Sequence, residues 1–145
     1  MESFVKKIDN KHVFNASLPS CYQMQNIDIS YLLEEIEKAK STQTLFIVEG
    51  HNDKKALNNL GIDNVAVIKE SKKSIKEFLE DVASRNKEVV ILTDLDTEGK
   101  KLYNLARNTF SSSGVKIAPS IREELFRLKV SHIEGLDSFV ENHLP

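Results

Sequence analysis

Two kinds of apolar spacing alternate along this chain. Beginning at Asp28, residues Ile29, Leu32, Leu33 and Ile36 recur at the interval of one helical face, with Asp28 or Ser30 placed to cap the helix. The run Leu45-Phe46-Ile47-Val48 that follows is continuous and rich in strand formers, and it stops at Glu49-Gly50. An unbroken run of that kind suits a strand covered on both faces, as in parallel sheets. Ala56, Leu57 and Leu60 predict a helix over Asp53 to Leu60 that ends at Gly61. Val65 to Ile68 reads as a second strand. Ser74 and Glu77 form a capping box ahead of Phe78, Leu79, Val82 and Ala83 on one helical face. Val89 to Leu92 is a third strand that runs into Thr93-Asp94-Leu95-Asp96. Leu102, Leu105, Ala106 and Phe110 predict a helix closed by Ser111 to Gly114, and Val115 to Ala118 a short fourth strand. Ser120 and Glu123 read as a second capping box, before Leu125 and Leu128; Leu136, Phe139, Val140 and Leu144 predict a last helix.

Strands alternating with helices predict an α/β fold with a parallel sheet and right-handed crossovers. Residues 28–145 read as one domain, and the weakly periodic residues 1–27 as an irregular extension. In open parallel sheets the functional crevice lies beyond the carboxyl ends of the strands, where strand order reverses. The first strand delivers Glu49 to that edge, and the third delivers Asp94 and Asp96.

Composition narrows the class. With 145 residues, 40% of them hydrophobic and 29% charged, the chain can fill and cover a core, which excludes disordered and low-complexity readings. No apolar run reaches the roughly 18 residues of a membrane span, and the N-terminus lacks the apolar stretch of a secretory signal, so a cytoplasmic protein is expected. For the same reason Asn15-Ala16-Ser17 is read as an accidental match to a glycosylation acceptor. The single cysteine, Cys21, excludes an internal disulfide framework and a cysteine-rich zinc site, and is read as inert. A net charge of −2 provides no field to draw a polyanion, so a local basic patch or a bound cation has to do so.

Three carboxylates converging on one sheet edge raise one another's pKa unless something compensates. Magnesium suits that role, because it takes carboxylate oxygens and keeps positions for water and substrate phosphate. Asp94 and Asp96, two residues apart, point to the same side if the stretch is extended. Asp96, standing before Thr97-Glu98-Gly99, also reads as a helix N-cap.

The segment Ile47-Val48-Glu49-Gly50-His51-Asn52-Asp53, with Ile91-Leu92-Thr93-Asp94-Leu95-Asp96-Thr97-Glu98-Gly99 after it, resembles the Toprim domain, over about Thr44 to Ala118. That domain is shared by type IA and type II topoisomerases, bacterial-type primases, OLD-family nucleases and ribosomal-RNA maturation nucleases. The chain's brevity, with Ile121-Arg122-Glu123-Glu124-Leu125 and His132-Ile133-Glu134-Gly135-Leu136, looks most like the short stand-alone Toprim proteins of archaea. The resemblance implies a Rossmann-like fold of about four parallel strands between helices. It implies that Glu49 is a general acid or base, or a further metal ligand, and that Asp94 and Asp96 bind magnesium, with manganese as the alternative. Gly50 and Gly99 match glycines that allow tight turns beside the site. Many members carry lysine where this chain has His51, whose charge at neutral pH depends on its surroundings. The nucleophile setting of a topoisomerase tyrosine is not recognisable around Tyr22, Tyr31 or Tyr103.

The leading functional reading is a magnesium-dependent phosphoryl-transfer hydrolase, a nuclease on RNA or DNA. Glu49 is its catalytic residue, and Glu49, Asp94 and Asp96 its metal ligands. Candidate phosphate or nucleic-acid contacts are His51, Lys54, Lys100 and Arg122; Arg122 sits in the first turn of its helix, where a cation opposes the helix dipole. Lys69, Lys72, Lys73 and Lys76 read first as a solvated face, and His132 and His143 as surface histidines. The alternatives are a metal-dependent nucleic-acid-binding module without catalysis and a nucleotide or polyphosphate hydrolase. A haloacid-dehalogenase-like phosphatase fits Asp94-Leu95-Asp96-Thr97 but leaves Glu49-Gly50 unexplained. Nucleic acid is the expected partner; monomer and dimer stay open.

Overall fold

A computed structural model describes residues 27–145. Apart from Ile27, the extension expected at the N-terminus lies outside those residues, with Cys21 and the Asn15 sequon. Four strands, β1 (Leu45–Val48), β2 (Val65–Val67), β3 (Glu88–Ile91) and β4 (Lys116–Ile117), pair in parallel in the order β2-β1-β3-β4. Among the described residues six helices flank them: α1 (Ser30–Ser41), α2 (His51–Asn59), α3 (Ile75–Arg85), α4 (Thr97–Ser112), α5 (Ser120–Arg127) and α6 (Leu136–Asn142). The architecture is the expected α/β, Rossmann-like one.

Side chains alternate along each strand, so the sheet buries two faces. Phe46, Val48, Val90 and Leu92 enter a core layer with Leu32, Leu57, Ile121 and Leu136 from α1, α2, α5 and α6. Ile47, Val89 and Ile91 point the other way, against Leu79 and Val82 of α3 and Ala106 and Phe110 of α4. The register sets Phe46 beside Val90 and Ile47 beside Ala66. Strand order reverses between β1 and β3, so the crevice opens where those two neighbours end.

Several boundaries differ from the sequence expectation for identifiable reasons. The second strand stops at Val67, and Ile68–Glu70 turns into a single 3₁₀ turn, although the Lys69 amide still donates to the Glu49 carbonyl at 3.0 Å. The helix after β1 begins at His51, because the Asp53 carboxylate accepts from the Gly50 amide at 3.1 Å and closes the first turn. Ser74 caps α3 as expected, its hydroxyl accepting from the Glu77 amide at 3.1 Å. The box expected at Ser120 and Glu123 does not form. Pro119 already has helical angles (φ −90°, ψ −13°), so Ser120 lies inside α5, where its hydroxyl has no cap to make. Gly61, at φ +84°, ends the α2 segment as expected.

Candidate metal centre

Glu49 follows the last residue of β1, and the hydrogen bond from Lys69 fixes its backbone. Its side chain is 8% exposed, and among the described residues Oε1 is buried with no hydrogen-bond partner. Burial pushes the Glu49 carboxyl above the usual range; the charge of Asp94 and, more weakly, Asp96 pushes the same way. The Asp94 backbone and Lys69 oppose that rise. Glu49 and Asp94 line one cavity of about 240 Å³ with His51, Asp53, Lys69 and Glu134.

Asp94 and Asp96 lie on the turn between β3 and α4, and a backbone amide orients each carboxylate. Ile133 N donates to Asp94 Oδ1 at 3.1 Å, and Gly99 N donates to Asp96 Oδ1 at 2.8 Å. Asp96 is therefore the N-cap of α4, and one oxygen of each aspartate stays available for another partner. Asp96 Oδ2 stands 3.9 Å from His132 Nε2. Asp94, Asp96 and His132 each offer a ligand atom, all within 4.8 Å of one another. Glu49 is not part of that trio; it shares the adjoining cavity with Asp94. A buried, unpartnered carboxylate oxygen beside two half-satisfied carboxylates fits a divalent cation, because each lacks the positive charge that a metal supplies.

Gly99 has a steric reason to be glycine: a Cβ built there would lie 1.9 Å from the Asp94 carbonyl oxygen. Gly50 does not share it. The chain bends at Glu49 and Gly50, but the Gly50 backbone is extended (φ −137°, ψ 173°) and a Cβ would meet only Asp53 Oδ2 at 3.9 Å, so the bend does not depend on glycine. Its contribution is the amide that Asp53 accepts.

The four candidate phosphate contacts separate. His51 borders the acidic cavity, its Nδ1 2.8 Å from Glu70 Oε1. Lys54 is partly buried on α2 and is not among that cavity's lining residues. Lys100 and Arg122 meet at a second groove, between α4 and α5. Arg122 donates to the Thr93 carbonyl, to Thr93 Oγ1 at 3.0 Å and to the Asp94 carbonyl at 3.4 Å, and its guanidinium lies 4.2 Å from the Tyr103 ring centre. It thus ties α5 to the end of β3. Burial lowers its pKa, although an arginine keeps its charge.

Sequence reasoning passed over His132, Asp53 and Glu134. His132 reaches Asp96 because the segment after α5 is stitched to the β3 turn, with Leu95 N donating to Ser131 O at 2.8 Å. It is a surface histidine, as expected, and it stands beside Asp96. No periodic pattern marks it; the one available signal was its proximity to Glu134 in an otherwise apolar segment.

A family model for the Toprim domain matches residues 44–133. The chain is 34% identical to the UPF0292 protein MJ1624 of Methanocaldococcus jannaschii, across 78% of this chain and 92% of that one. It is 33% identical to the UPF0292 protein Mbar_A0484 of Methanosarcina barkeri, across 76% of each. A solved structure of an Aquifex aeolicus protein superimposes with a TM-score of 0.64 at 31% identity, over 74% of this chain and 96% of that one. With the model spanning well over half of its residues, and the acidic turn and the glutamate at the places the motifs require, the chain belongs to the Toprim domain family.

Proposed function

We propose that this protein is a divalent-metal-dependent phosphoryl-transfer hydrolase, a nuclease that cleaves RNA or DNA phosphodiesters with magnesium. Family membership implies a divalent metal and a nucleic-acid-related role. The observation that carries the finer reading is the buried, partnerless Glu49 Oε1 beside the Asp94 carboxylate, at the point where strand order reverses. Asp94 and Asp96, each with one carboxylate oxygen not taken by a backbone amide, would hold the ion, with His132 beside them. A divalent ion there would supply positive charge against phosphate oxygens and lower the pKa of a water. Glu49 serves the same centre, either as a further ligand or by passing a proton to the leaving oxygen.

Labelled single- and double-stranded RNA and DNA, incubated with magnesium or manganese, test this reading. Cleavage is expected to require the metal, to vanish in Asp94→Asn and to fall at least ~100-fold in Glu49→Gln. Calorimetric magnesium titration of Glu49→Gln separates its two roles: weaker binding marks a ligand, unchanged binding a proton carrier. Undiminished turnover in Glu49→Gln overturns the mechanism.

One observation favours a second reading, a binding module without catalysis. Where the Toprim resemblance implies lysine, this chain has His51, paired with Glu70 at 2.8 Å, which brings no free positive charge to the cavity. Retention of nucleic acid with no products in any of these incubations supports it.

A further inference from the structure

We propose that the groove between α4 and α5 seats one unstacked base of a single-stranded nucleic acid together with its neighbouring phosphate. The proposal rests on the reading that the adjacent acidic centre acts on nucleic acid. The groove has a volume of about 400 Å³, within the range of small-ligand sites. Its walls are two helix faces: Lys100, Tyr103 and Asn104 of α4, spaced at i, i+3 and i+4, and Arg122 and Phe126 of α5, spaced at i and i+4. Leu95, between the two aspartates of the centre, also lines it, so the groove adjoins the acidic turn.

The chemistry of these walls suits a nucleotide. Phe126 is 67% exposed, a large aromatic face open to solvent inside a concave, partly cationic surface. Every base has a π-face to stack on such a ring, whatever its sequence. Arg122 is fixed by its bonds to the Thr93 and Asp94 carbonyls and by the Tyr103 ring, and among the described residues no carboxylate forms an ion pair with it. Its charge is thus preorganised and not held in an ion pair. With exposed Lys100 it provides a cationic end for a phosphate. Glu123 also borders the groove and would repel a phosphate. The phosphate is therefore assigned to Lys100 and Arg122, the cations of the groove, and the base to the Phe126 ring. A paired base has both faces covered by its stack and cannot enter, so the groove selects single strands.

The test is fluorescence anisotropy of a labelled oligodeoxythymidine and of a blunt duplex on the full chain, with calcium replacing magnesium. Wild type is expected to prefer the single strand. Phe126→Ala should weaken single-strand binding ~5–100-fold and leave duplex binding unchanged, and Phe126→Trp should retain it. Magnesium titration of Phe126→Ala should match wild type, which shows that the variant is folded and its centre intact. Equal single-strand affinity in Phe126→Ala and wild type overturns the proposal. So does sedimentation that shows a dimer lost in Phe126→Ala, because a second copy then covers the ring. Wild type that binds single strands through Phe126 yet cuts none refutes the nuclease and leaves the seat standing.

Discussion

At the scale of single residues, Glu49 is a folding liability. Burial and the charge of Asp94 raise its folded pKa above the unfolded value, so the folded state favours the protonated acid. The sign follows from linkage: what Glu49 contributes is fully present below an ordinary glutamate pKa of about 4.3 and is lost as pH rises through the raised folded value. Without metal, Glu49→Gln should therefore unfold at higher denaturant than wild type at pH 8, by about 1 kcal/mol, the scale of one buried polar group lacking a partner. At pH 4 the two should coincide. Wild type more stable than the variant at pH 8 without metal would contradict the burial. Strand ends revealed Glu49, Asp94 and Asp96 in the sequence, because an apolar run stopping at a carboxylate is a local signal. His132, Lys69 and Glu134 arrive from other segments, and nothing local announces where a loop residue will land. Arg122 was legible as an oddity against the helix dipole, but its partners proved to be backbone carbonyls, which no sequence pattern displays.

At the scale of elements, the centre depends on how closely α4 meets the end of β3. The first turn of α4 sits on the Asp94 backbone, Thr93 Oγ1 donates to the Gly99 carbonyl at 2.8 Å, and the Gly99 amide caps onto Asp96. A methyl group at Gly99 has nowhere to go, since the atoms it meets are backbone and cannot swing aside. Gly99→Ala should cost about 3 kcal/mol in a urea titration, the upper scale of overpacking, and should weaken magnesium binding by displacing both aspartates. A stability within ~0.5 kcal/mol of wild type would show that α4 can shift freely. Element types were readable because each strand is a short apolar run and each helix keeps its 3.6-residue period. Ends were less so: at Ser120 a preceding proline had already entered the helix, and at Ile68 the chain turned while its apolar pattern continued.

At the scale of the whole molecule, a net charge of −2 leaves attraction of nucleic acid to the metal and to local cations. Ligand linkage gives this a thermal signature. Magnesium at 100 times its Kd should stabilise wild type by ~2.7 kcal/mol and raise Tm, with no comparable shift in Asp94→Asn. An equal rise in both proteins would place the ion elsewhere. None of the described helices is long and apolar enough to cross a membrane.

The stitching of Ser131 and Ile133 to the turn after β3 also sets an order of events during synthesis. A nascent chain that has emerged only as far as β4 already carries Glu49, Asp94 and Asp96, but lacks both the amide that aims Asp94 and the imidazole beside Asp96. One face of the sheet also lacks Ile121 and Leu136 at that stage, so both the core layer and the centre wait for the segment from α5 onward. Ribosome-held chains of increasing length would acquire tight magnesium binding in one late step.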